Sequence, residues 1–294
     1  MSLIYYEDSS PDLGISWKNI QSVDSIITQR NTHVEMVEHP RWGITCYMDN
    51  TIQSGEADEV LYHEALVHPA MSCAYYRKRI MIVGGGEGAT AREVLKWPDV
   101  EYVDMYEWDK DIVSLFKEKY PQWAKGAWDD SRLKLHYDDI FEEIKTHPIK
   151  RYDVIIIDLF DYSEDDKDKW EILLYHLPYW SNGSIVMYAG MRESMKFAKD
   201  KREQPYQVLS QMLRQHASPI SILTRLQYPQ NASVHDNFIA DHEFIPYRLF
   251  VPSFMGESTF LLIKPRATLC MFEQAKQFSH LTMDIWKSYK TFNW

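Results

Sequence analysis

Six acids stand at positions where chemistry can be done. Glu87 lies inside GGGEGATARE, directly after the apolar run RIMIV. Glu107 closes YVDMYE, twenty residues beyond Glu87. Asp138 and Asp139 follow RLKLHY, Asp158 ends DVIIID, and Asp161 comes three residues later. Gly84 and Gly86 clear room for a ligand to approach the backbone. A cradle built for phosphate would not carry a carboxylate at its centre, so Glu87 points to a ligand with positive charge. A carboxylate accepts from both hydroxyls of a ribose, and Glu107 has the spacing for that role. Glycine turn and spaced acid together read as an adenosine site rather than a phosphate site.

These acids need a scaffold that brings strand ends together. RIMIV, YVDMYE, RLKLHY, DVIIIDLF and SIVMYAG read as strands. TAREVLKW reads as a helix closed by Pro98, and DKDIVSLFKEKY as a helix capped by Asp109. PYQVLSQMLRQHA is a late helix, and RLFV and TFLLI form an antiparallel finish. Alternating strands and helices imply an α/β fold with a mostly parallel sheet covered on both faces. In such a sheet ligands lie beyond the carboxyl ends of the strands, where the acids are. Before residue 75 the texture differs. THVEMVEH and ITCYMDN are short, partly alternating segments split by HPRWG and read as antiparallel strands. The stretch 56–74, with Val60, Leu61, Ala65 and Leu66 at helical spacing, is a helix. The expected division is 1–74, a small antiparallel β-domain with this gate helix, and 75–294, the catalytic domain and tail. The charged run SEDDKDK reads as a solvated loop.

Composition narrows the classes. A formal net charge of −11 argues against a nucleic-acid partner, which would need a basic face. No apolar run is long enough for a membrane span. MSLIYYEDSSPD lacks the basic and apolar regions of a secretory signal. Three cysteines, Cys46, Cys73 and Cys270, give neither a disulfide framework nor a metal pattern, so a reducing cytoplasm and no metal are expected. The many aromatics are read mainly as core.

GGGEGATARE, VLYHEALVHPAM, YEWD, LHYDD and IIIDLFD, in this order, resemble the aminopropyltransferases: the spermidine, spermine and thermospermine synthases. GGGEGATARE with YHEALVHP looks most like the thermospermine-synthase branch, and the resemblance runs from about residue 30 to about residue 264. It implies a methyltransferase-like Rossmann domain behind a small β-domain. It also implies transfer of an aminopropyl group from decarboxylated S-adenosylmethionine to a polyamine, spermidine or putrescine, releasing methylthioadenosine. No prosthetic group is implied, and a homodimer or homotetramer is. By the family pattern Glu107 holds the ribose, Asp139 beside Asp138 accepts from the adenine amine, and Gln53 lies in the donor-facing strand. Asp158 matches the proton acceptor, Asp161 the acid that orients the attacking ammonium, and Tyr62 a tyrosine of the same cleft.

The acceptor side departs from the pattern. Tyr162 replaces a proline, Tyr188 and Thr32 replace glutamines, and Phe254 replaces a tyrosine. Tyr188 and Trp170 are then candidate walls for an extended amine, and Glu257 a candidate for its distal ammonium. Three alternatives stay open: a methyltransferase using intact S-adenosylmethionine, a nicotinamide-dependent dehydrogenase, and a non-catalytic polyamine-binding relative. Glu87 opposes the first. The second leaves YHEALVHP and the Asp158–Asp161 pair unexplained.

Overall fold

The computed structural model describes residues 3–10, 13–146, 151–191, 205–215, 238–270 and 279–290. Five antiparallel strands come first: β1 (Leu3–Ser10), β2 (Leu13–Ile27), β3 (His33–His39), β4 (Gly43–Met48) and β5 (Thr51–Gly55). They follow one another in sheet order, as short hairpin connections require. Helix α1 (Glu59–Cys73) leads into the second sheet. There β6 (Arg79–Gly84), β7 (Tyr102–Tyr106), β8 (Leu133–His136), β9 (Tyr152–Asp158) and β10 (Ser181–Met191) run parallel. The antiparallel β11 (His242–Val251) and β12 (Gly256–Pro265) complete the order β11-β12-β10-β9-β6-β7-β8. The expected α/β architecture with a mostly parallel sheet is therefore present. Helices α2 (Ala89–Leu95), α3 (Lys110–Lys119), α4 (Ile140–Thr146), α5 (Lys167–Trp180), α6 (Pro205–Gln215) and α7 (Met283–Tyr289) surround it.

Side-chain alternation divides the central strands between two cores. Ile80, Ile82, Val154 and Ile156 face α1, with Leu66, Ala70 and Trp97. Met81, Val83, Ile155 and Ile157 face α5, with Leu173, Leu174 and Leu177. A third cluster joins the two sheets, packing Val34, Met36 and Cys46 against Ile112 and Phe116 of α3. The first helix turn of α3 is capped by Asp109, whose carboxylate accepts from the Asp111 and Ile112 amides.

The structure corrects two sequence expectations here. SEDDKDK is no simple solvated loop. It forms a short 3-10 turn and then the first residues of α5, with Asp166 held by Ser163 and Lys169. Cys73 and Cys270 form a disulfide across 197 residues, which an odd count of three cysteines did not reveal. The bond ties the end of α1 to the chain beyond β12. A second fastening lies on the same helix. Glu64 accepts from the backbone amides of Ser279, His280 and Leu281 at 2.5, 2.8 and 2.8 Å. Cys270→Ser, or reduction of the unmutated protein, is expected to lower Tm by about 4–10 °C, with no further loss when the variant is reduced. Calorimetry with and without reductant checks this.

Candidate active site

The site forms where the strand order reverses between β6 and β9, the place an open α/β sheet leaves for ligands. Gly84 and Asp158 are register partners there. Gly84 has φ +82°, and a Cβ on it would come 2.0 Å from the Asp158 carbonyl oxygen, so no other residue fits. This contact sets the glycine turn against the end of β9. Glu87 thereby comes to the same cleft as Asp158.

Each oxygen of Asp158 has its own donor. Tyr62 donates from α1 to Oδ1 at 3.1 Å, and Thr90 donates from α2 to Oδ2 at 2.6 Å. Asp161 forms a second pair of the same kind, accepting from the Tyr188 hydroxyl. Solvent reaches Asp161, but protein crowds it on most sides, and this burial raises its carboxyl above the ordinary range against the opposing Tyr188 bond. Burial and the neighbouring Asp158 hold the Tyr62 phenol far above its usual value. Burial and Asp161 do the same for Tyr188. Both phenols therefore remain donors. Their rings lie 5.7 Å apart, with Phe254 and Phe260 within 6 Å of Tyr62, so the two acids are backed by an aromatic wall.

Glu107 closes the opposite side. It is 7 % exposed, and burial pushes its carboxyl up to about 7, with Asp109 and Asp158 adding repulsion; the amides of Asp109 and Gly86 oppose the rise. Asp138 is exposed. Asp139 is half-buried and spends one oxygen on the Phe141 amide at the start of α4. Gln53 is exposed and lines a narrow cleft shared with Tyr62, His63 and Phe254.

Glu87 has a partner the sequence reading missed. His63 Nε2 lies 2.6 Å from its carboxylate, while His63 Nδ1 faces the Glu59 carbonyl at 2.6 Å and the Glu59 carboxylate at 3.1 Å. Burial alone would keep this ring neutral, but Glu87 and Glu59 override it and hold its pKa well above the usual value. His63, Thr90 and Glu59 all stand within or beside the motifs quoted above. The adjacency of His63 to Tyr62 was the signal available.

Two expected site residues are not brought to the cleft. Trp170 is 0 % exposed and packs with Leu173 and Leu174 on the α5 face, away from Tyr62 and Tyr188. It is core, because α5 covers the other side of the sheet. Glu257 is not a free distal acid, since Arg248 contacts both its oxygens at 2.5 and 2.6 Å. The two residues lie diagonally on the β11–β12 ladder, within reach of long side chains.

The class is that of a doubly covered, mostly parallel α/β sheet with a ligand cleft at its switch point, and known proteins share it. A spermidine synthase from Thermotoga maritima has a TM-score of 0.74 over 99 % of this chain and 91 % of its own, at 18 % identity. A spermidine synthase solved in complex with the transition-state analogue AdoDATO gives 0.75 over 99 % and 92 %, at 19 % identity. At such identity these likenesses concern the fold. Residues 59–187, from α1 through most of β10, match the spermine/spermidine synthase domain. The chain is 47 % identical over 122 residues to polyamine aminopropyltransferase 1 of Hyperthermus butylicus, covering 41 % of this chain and 42 % of that protein. It is 39 % identical over 145 residues to polyamine aminopropyltransferase 2 of Caldanaerobacter subterraneus, covering 48 % of each. The chain thus spans less than half the length of these curated relatives.

Proposed function

We propose that this protein is a polyamine aminopropyltransferase. The observation that carries the reading is the juxtaposition of Glu87 with the Asp158–Tyr62 and Asp161–Tyr188 pairs at one switch point. Decarboxylated S-adenosylmethionine, the co-substrate, presents an ammonium and a sulfonium. Glu87 receives that ammonium, Glu107 the ribose hydroxyls, and Asp139 beside Asp138 the adenine amine, with Gln53 at the donor-facing edge. The acceptor amine is a cation at neutral pH and must lose a proton before it attacks. Asp161 orients it and Asp158 takes the proton. Its nitrogen then displaces methylthioadenosine in line, forming the carbon–nitrogen bond as the carbon–sulfur bond breaks. The sulfonium is already an activated leaving group, so this route asks for no further electrophile.

For the acceptor we infer a triamine such as spermidine ahead of putrescine, on the thermospermine-like motifs and the aromatic wall of Tyr62 and Tyr188. Each aromatic face attracts an ammonium by about 0.5–2 kcal/mol. We also carry forward the division into residues 1–74 and 75–294 and a homodimer or homotetramer; the Cys73–Cys270 bond removes the cysteine-based reason for a reducing cytoplasm. A mass-spectrometric assay pairing the decarboxylated donor with di-, tri- and tetra-amines tests the proposal. Methylthioadenosine and an aminopropylated amine are expected, with the highest specificity constant for a triamine. Putrescine preferred over triamines would remove the acceptor assignment, and no product with any amine would remove the activity.

The ribose role makes a pH prediction. Below about pH 7 the buried Glu107 is protonated in the free protein, and hydroxyl donors favour its charged form. Ligand binding must then expel a proton. Methylthioadenosine affinity should therefore be flat above pH 7 and weaken as pH falls, by up to about tenfold per unit. Glu107→Gln should flatten the profile. Calorimetry in buffers of different ionisation enthalpy measures both the affinity and the released proton.

A further inference from the structure

A line of alternating charge runs inward from the cleft. Glu87 meets His63, His63 meets Glu59, and Glu59 meets Arg92, whose Nη1 and Nη2 reach its two oxygens at 2.9 and 2.8 Å. Arg92 is itself fixed by Glu93 at 2.8 Å and by the Trp123 carbonyl at 2.5 Å. Glu93 in turn holds Lys96 at 2.7 Å and His68 at 2.9 Å. His63, Glu59, Arg92 and Glu93 are all buried. None of the last three touches the cleft acids Asp158 or Asp161, and the reaction described above uses none of them.

The geometry fixes the protonation of the ring. Both nitrogens of His63 face oxygen acceptors, and a neutral imidazole has one donor only. In either neutral tautomer a lone pair would point at a carboxylate or a carbonyl. Glu59 supplies the buried charge that balances a doubly protonated ring, and the Arg92 fork keeps Glu59 from turning away. Glu87 then spends one oxygen on His63 and keeps the other for a ligand. We propose that Glu59, fixed by Arg92, is a positioning residue that holds His63 as a double donor, so that Glu87 presents a single, oriented carboxylate oxygen to the primary ammonium of the aminopropyl donor. This rests on the reading of Glu87 as the ammonium site.

The other titratable groups around the ring do not replace Glu59. Tyr62 lies 5.0 Å from it on the same helix and stays protonated, as does the buried thiol of Cys46 on β4, near Glu87. Asp58, before α1, is turned to the Ser253 amide at 2.7 Å.

Three measurements test the assignment. Side-chain ¹⁵N NMR of the unmutated protein, with His63 assigned by its loss in His63→Gln, should show both ring nitrogens protonated from about pH 6 to about pH 9. A neutral ring at neutral pH overturns the proposal without reference to turnover. Glu59→Gln keeps an acceptor but removes the charge, and should bring the ring's titration into this range. Calorimetry then compares two ligands. In Glu59→Gln the affinity of decarboxylated S-adenosylmethionine relative to methylthioadenosine, which lacks the amine, should fall about tenfold from the acid end to the alkaline end, the Glu107 contribution being common to both ligands and cancelling in the ratio. Equal loss for both ligands, or no pH-dependent loss, overturns the proposal. Glu59→Asp, which leaves a charge for Arg92, should show the same effect in smaller measure if the glutamine variant does not fold. Failure of the unmutated protein to prefer the decarboxylated donor over intact S-adenosylmethionine would instead remove the reading of Glu87 itself.

Discussion

Asp158→Asn is expected to lower turnover by at least about 10²-fold while leaving methylthioadenosine affinity nearly unchanged. The size follows from removing a general base. The selectivity follows from the structure. Asp158 sits at the end of β9 with one oxygen on Tyr62 and the other on Thr90, and an asparagine keeps the shape and one acceptor. On the proposed reading the donor is gripped elsewhere, at Glu107 and the glycine turn, so above pH 7, where Glu107 is already charged, donor affinity should change little when the Asp158 charge is removed. Single-turnover kinetics with saturating donor and amine isolate the chemical step from product release. Near-normal turnover would move the base to Asp161. The parallel Asp161→Asn measurement then decides, because Asp161 accepts from Tyr188 and burial raises its carboxyl, the direction that favours taking a proton.

The cleft acids were legible because a parallel sheet gathers its strand ends. Once RIMIV, YVDMYE, RLKLHY and DVIIID are read as strands, Glu87, Glu107, Asp139 and Asp158 must converge, whatever the helices do. The glycine turn was legible for a related reason, since only glycine tolerates the Asp158 carbonyl against position 84. Burial direction and long-range pairing were not legible. Trp170 looks like a slot wall until α5 is seen to cover the far face of the sheet. Glu257 looks free until the β11–β12 register sets Arg248 diagonally across from it. The Cys73–Cys270 bond joins residues 197 positions apart, a separation no local pattern encodes. His63 was within the quoted motif but unassigned, because its role depends on Glu59 and Glu87 flanking the ring from two different elements.

Glu87→Gln is expected to weaken decarboxylated S-adenosylmethionine by about 10- to 100-fold and to narrow its advantage over intact S-adenosylmethionine. The first effect is the loss of one charge-assisted hydrogen bond, worth about 1.5–3 kcal/mol. It is sharpened by the His63 contact. A glutamine at 87 would turn its oxygen toward His63 Nε2 and leave its amide hydrogens facing the ligand ammonium, donor against donor. The second effect comes from the carboxylate that intact S-adenosylmethionine carries beside its amine. Two carboxylates about 4 Å apart repel by roughly 4 kcal/mol at an effective dielectric near 20. The His63 cation on the far side of Glu87 offsets part of that repulsion, so the discrimination in the unmutated protein should fall below this figure. Removing the charge from residue 87 removes the repulsion, and intact S-adenosylmethionine should lose less affinity than the decarboxylated form, or gain some. Calorimetric titration of both donors and of methylthioadenosine into both proteins separates the contributions, since methylthioadenosine carries neither group and should be indifferent to the change. Equal binding of the two donors to the unmutated protein would show that Glu87 does not select for the missing carboxylate, and the methyltransferase alternative would then have to be taken up again.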